Sequence, residues 1–84
     1  MKELLYFLTE SLASDESAIS ITESERPYGN DEVETLYQVR VAPVDMGRLI
    51  GRQGRTAKDI RVLMRSLAAR QGKRVSVDIL DESE

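Results

Sequence analysis

The residues with the most to offer chemically lie between Leu49 and Thr56, where the chain reads Leu-Ile-Gly-Arg-Gln-Gly-Arg-Thr. Gly51 and Gly54 enclose Arg52 and Gln53, and Arg55 follows at once. Glycine tolerates positive φ and lets another backbone approach closely. A Gly-x-x-Gly turn opening onto a helix can therefore turn main-chain N–H groups toward a phosphate. Gly51, Arg52 and Gly54 are thus candidate phosphate-binding residues, with Arg48, Arg55 and Lys58 as flanking cations that steer an anion. The spacing alone is unspecific: at a glycine content of roughly 7%, such a pair arises by chance about 0.4 times in a chain this long. A tight connector in which the glycines merely close a corner between two helices is the competing reading. The surrounding basic residues favour phosphate.

Other chemistries find no support. The chain has neither histidine nor cysteine, which removes the commonest general base, the commonest metal ligand and any disulfide or thiolate site. Its serines have no histidine to activate them. The acidic pairs Asp15/Glu16, Asp31/Glu32 and Asp81/Glu82 fall in turns or at the chain end, where solubility explains them. A Walker A loop is absent, and Gly47, Gly51 and Gly54 have the wrong spacing for a dinucleotide fingerprint. The sequence offers no catalytic constellation, no metal site and no cofactor, so it reads as a non-enzyme.

Charge sharpens the picture. The 84 residues carry a net charge of −3 with a pI near 5.0, which by itself argues against a polyanionic partner. Its distribution argues the other way. Residues 1–34 hold two basic residues against nine acidic ones, whereas residues 46–74 hold nine basic residues against Asp59 alone. A basic block centred on the glycine pair points to a polyanion. A solvated helix face balanced by acidic neighbours is the plainer alternative.

The elements that must position this turn are legible from periodicity. Residues 2–13 carry Leu4, Leu5, Leu8 and Leu12 on one stripe of a helix, broadened by Tyr6 and Phe7, which read as core rather than as base-stacking platforms. Residues 17–23 alternate as a strand around Ile19 and Ile21, and residues 35–42 do so around Tyr37, Val39 and Val41. The polar segment between them, Glu25–Glu34, reads as a loop of an antiparallel hairpin. Pro43 ends the second strand. Asp45 is the expected N-cap of a short helix over Met46–Ile50. A longer helix follows over Thr56–Gln71, with Ala57, Ile60, Leu63, Met64, Leu67 and Ala68 at helical spacing and Gly72 at its C′ position. A last strand spans Arg74–Leu80, and Asp81–Glu84 form an acidic tail. No apolar run approaches the ~18 residues of a membrane span, and the early Glu3 and Glu10 argue against a signal peptide. A single domain over residues 1–84, soluble and cytoplasmic, is expected. The order α-β-β-α-α-β describes an α+β fold with three helices on one face of a three-stranded sheet. The two-helix crossover is long enough to make the last two strands parallel, giving a mixed sheet.

Leu49 to Arg55, followed by Ile60 and set in that element order, resembles the signature of type II K homology (KH) domains. More narrowly, Ala42–Ile60 with the basic helix and the Val75-Ser76-Val77-Asp78 ending resembles the small single-domain bacterial KH RNA-binding proteins of the KhpA type. The resemblance covers nearly the whole chain, the Glu25–Glu34 segment excepted. It implies a type II KH-like fold and an RNA chaperone or post-transcriptional regulator that clamps the backbone of about four unpaired nucleotides. By position, Gly51 and Gly54 would admit the phosphates, while Arg52 and Gln53 would supply charge and hydrogen bonds. Ile50 is either a wall of the base groove or core. The resemblance also implies a homodimer, or a heterodimer with a second KH-containing protein. Met64 and Leu67 are dimer-surface candidates should they prove exposed. A protein–protein adaptor acting through the basic face is the alternative function.

Overall fold

Short strands with one apolar side and helices with one apolar stripe bury both only by stacking in two layers. The chain does so in the computed structural model, which describes residues 1–79. Helix α1 (Lys2–Leu12) leads through a single 3-10 turn into the hairpin β1 (Ser20–Tyr28) and β2 (Glu32–Arg40). Helix α2 (Pro43–Ile50), a second 3-10 turn (Arg52–Gly54), helix α3 (Arg55–Arg70) and strand β3 (Arg74–Ile79) complete the order. The strands lie β1-β2-β3, with β1 antiparallel to β2 and β3 parallel to β2. The expected mixed sheet is therefore present. Leu80 and the tail Asp81–Glu84 lie outside the described residues.

The core sits between the helices and one face of the sheet. Tyr37 and Val39 of β2 and Val75, Val77 and Ile79 of β3 meet Leu5, Met46, Leu49, Ala57, Ile60, Met64 and Ala68. Leu5, Leu49 and Met64 are fully buried, each a side chain whose burial stabilises by roughly 1.5–3 kcal/mol. Gly72, at φ +69°, closes α3 as expected: Lys73 N donates to Ala68 O (2.9 Å) and Gly72 N to Ala69 O (3.0 Å), a Schellman pattern.

Several expectations are corrected. Glu25–Glu34 is not a loop. Pairing continues to Tyr28 opposite Glu32, and only Gly29, Asn30 and Asp31 turn the chain, with positive φ at Gly29 and Asp31. The hairpin runs beyond the end of β3, which pairs only as far as Glu34, so its tip has no core to cover and lacks apolar alternation. Cross-strand polar contacts hold it instead. Arg26 Nε donates to Glu34 Oε1 (2.6 Å), Ser76 Oγ donates to Glu34 Oε2 (2.9 Å), and the Arg74 guanidinium lies 4.0 Å over the Tyr28 ring.

Tyr6 and Phe7 are exposed, Phe7 by 60%. Helix α1 touches mainly α2 and β1, which bury Leu5 and Thr9 and partly cover Leu4, Leu8 and Leu12, whereas residue 7 stands about 200° round the helix from Leu5. On α3, Met64 is fully buried and cannot form a dimer surface; Leu67 is half-buried, and Leu63 faces out. Helix α2 begins three residues before its expected start, at Pro43, with Ala42 as N-cap. Proline suits this first position because its missing N–H has no helical partner there.

Candidate nucleic-acid interface

Asp45 is not an N-cap but a buried latch. Its carboxylate accepts from Ser14 N (2.9 Å) and Ser14 Oγ (2.7 Å) on one oxygen, and from Asp15 N (2.9 Å) on the other. These bonds to the charged form, with nearby Arg48 adding a smaller share, hold its pKa below the usual value. The turn after α1 is thereby tied to the first turn of α2, whose other end carries the glycine turn. Sequence reasoning missed this role, since nothing local to Asp45 indicates partners thirty residues upstream.

Helix α2 ends at Ile50, half-buried against the core. Gly51 N still donates to Gly47 O (2.8 Å), but Gly51 itself swings to φ +75°, ψ 174°. A Cβ there would fall onto Thr56 Oγ1 and within 2.8 Å of Thr56 N. Close approach and positive φ thus both require glycine. Gln53 (φ 59°, ψ 26°) and Gly54 (φ 76°, ψ 12°) then lie consecutively in the left-handed region. This sharp corner turns the chain into α3 and leaves Arg52 and Gln53 exposed at its tip.

The structure brings the predicted residues together. Arg48 occupies the last turn of α2, Gly51–Gly54 the corner, and Arg55 and Lys58 the first turn of α3. Arg48, Arg52, Arg55 and Lys58 are exposed. Among the described residues, Arg52, Arg55 and Lys58 make no ion pair or hydrogen bond. The N-terminus of α3 has no side-chain cap and no acidic residue in its first turn. Its leading amides lack intrahelical acceptors, and its dipole end is positive, a place where cations are disfavoured. A positive helix end and several cations therefore converge at a corner that carries no acidic residue of its own between Gly47 and Lys58.

Elsewhere, a cleft of about 950 Å³ opens beneath the hairpin at the other end of α3, lined among others by Glu3, Glu23, Glu25, Lys73 and Arg74. Its mixed charge gives no comparable anion site. No helix among the described residues is long and apolar enough to cross a membrane, and no group of metal-ligating side chains is present among them.

The mixed three-stranded sheet, the α-β-β-α-α-β order and a glycine corner between the two crossover helices together define a type II KH domain. Comparison with known proteins agrees. Residues 2–79 match the family described as "KhpA/KhpB, KH domain". A protein of Clostridium acetobutylicum named RNA-binding protein KhpA is 36% identical over 80 residues, covering 95% of this chain and all of that one. Proteins of the same name from Borreliella burgdorferi and Chlamydia pneumoniae are each 37% identical, over 94% and 98% of this chain and 90% and 99% of their own lengths. The chain belongs to the KhpA/KhpB family of KH domains.

Proposed function

We propose that this protein is a non-catalytic, cytoplasmic module that binds single-stranded RNA, serving as an RNA chaperone or post-transcriptional regulator. The observation that carries this reading is the start of α3. An uncapped helix N-terminus without acidic residues carries Arg55 and Lys58 behind an exposed Arg52, an arrangement unfavourable by itself and relieved by a phosphate. The names of the relatives support RNA as the polyanion. In this reading the Gly51–Gly54 corner clamps the RNA backbone, Arg52 and Gln53 touch it directly, and Arg48, Arg55 and Lys58 steer it.

A site making about two to four phosphate contacts binds weakly, since each contributes a slope of only about −0.7 to the log–log salt dependence. Pairing two sites raises their effective concentration. Val62 and Leu63, exposed by 46% and 41% on α3, offer an apolar surface for a homodimer or for a heterodimer with a second KH-containing protein. The testing experiment is RNA crosslinking in cells, with the wild type beside Arg52→Asp/Gln53→Asp. Crosslinks lost in the variant support the reading. Equal crosslinking moves the site away from the corner.

A further inference from the structure

Most cations near the corner are free, but one is tethered. Arg61 is half-buried, and its Nε donates to the main-chain carbonyl of Val77 (3.1 Å). Val77 belongs to β3, an edge strand paired only with β2. The bond bridges α3 and β3, occupies a main-chain acceptor of the strand and fixes the orientation of the guanidinium plane. Among the described residues, Arg61 makes no other hydrogen bond or ion pair, so its Nη1 and Nη2 groups are available as a forked pair of donors.

The position of this fork is informative. Arg61 lies six residues beyond Arg55, about 9 Å along α3 at 1.5 Å per residue. Lys58 and Arg65, three before and four after it, share its side of the helix. Both are exposed and unpaired among the described residues. A strand held at the corner and led along this side has its phosphates attracted by Lys58 and Arg65. A base turned toward the junction of α3 and β3 would meet Arg61, which bridges the two elements.

We propose, on the reading of this surface as an RNA site, that Arg61 is a base-selecting residue favouring a nucleotide with two adjacent acceptors. Guanine offers O6 and N7, the pair that arginine engages most often; cytosine offers O2 and N3. Adenine sets its amino group beside N1 and N7, and uracil separates its two carbonyls by an N–H, so neither matches the fork. With Val77 fixing the plane, little freedom is lost when the base is bound. Arg61 thus converts the acceptor on β3 into a pair of donors and determines which bases fit.

The test is binding of the full chain to short oligouridines that differ only in one central nucleotide, G, C, A or U. The wild type is expected to bind the G or C oligomer at least about fivefold more tightly than the A and U oligomers, the lower end for one bidentate contact. Arg61→Lys keeps the charge but not the fork. It is expected to retain affinity for the all-uridine strand while losing the discrimination. Arg61→Met, checked by its melting curve, is expected to lose the discrimination and to bind all four more weakly. Equal wild-type affinity for the four oligomers, or discrimination that survives in Arg61→Lys, overturns the assignment. Failure of the wild type to bind any of them overturns the RNA reading itself.

Discussion

Thr56 fills the space that a side chain on Gly51 would need: a Cβ on Gly51 would overlap Thr56 Oγ1. The first glycine of the corner is thus fixed by packing as well as by its φ of +75°, whereas Gly54, at φ +76°, has open space around its missing Cβ.

The two glycines should accordingly respond differently to alanine. Gly54→Ala meets only the left-handed penalty, about 1–2 kcal/mol. Gly51→Ala adds a collision with the first turn of α3 and should lower the melting temperature more. Thermal denaturation of the two variants side by side checks the order.

Gln53 holds the left-handed conformation without being glycine. Asparagine tolerates this region better, so Gln53→Asn should stabilise the fold, by up to about 1 kcal/mol. In a domain of this size that corresponds to a rise of roughly 4–8 °C in melting temperature. Unchanged or lower stability would show that Gln53 is not strained.

The Asp45 latch predicts a dependence on acid. Its folded pKa is lowered by the bonds from Ser14 and Asp15, and that of Glu34 by Ser76 and then Arg26. A depressed carboxyl pKa contributes stability that is fully present above the unfolded value, about 3.9 for Asp and 4.3 for Glu. That contribution is lost as pH falls through the folded value. Stability should be flat in this respect from neutrality to about pH 5 and then decline. Asp45→Asn should lower stability at pH 7 and flatten the acid limb in denaturant titrations, with Ser14→Ala a milder version.

The exposed pair on α3 makes the proposed dimer testable. Val62→Glu/Leu63→Glu should leave the fold intact, because neither residue belongs to the buried core. It should shift sedimentation toward the monomer and weaken RNA binding through lost multivalency. A variant that sediments like the wild type would place the contact elsewhere.

The strand pairings, the corner and the α3 core stripe were readable because each has a local signature: period-two alternation at Tyr37, Val39 and Val41, paired glycines, and a helical period from Ala57 to Ala68. The tip of the hairpin was not, since it is held by charge pairs, Arg26 with Glu34 and Arg74 with Glu32, and carries no apolar rhythm. Asp45 looked like a cap because capping is its commonest local use; its actual partners, Ser14 and Asp15, are brought to it by tertiary structure. Phe7 looked like core because hydrophobicity does not report which side of a helix the rest of the chain will cover. All seven candidate site residues did cluster at one corner, since they lie within eleven consecutive positions, Arg48 to Lys58. Arg61 as a tethered fork was hidden among the surface cations, because its distinguishing bond reaches across to β3.

The central claim is best tested by titrating a labelled single-stranded RNA with the wild type and with Arg52→Asp/Gln53→Asp at several salt concentrations, alongside melting curves. The account predicts that the wild type binds with a log–log salt slope of about −1.5 to −3, as about two to four phosphate contacts require. It also predicts that the variant loses binding while its melting temperature stays nearly unchanged. Undiminished affinity in the folded variant, or a wild-type slope near zero, would contradict it.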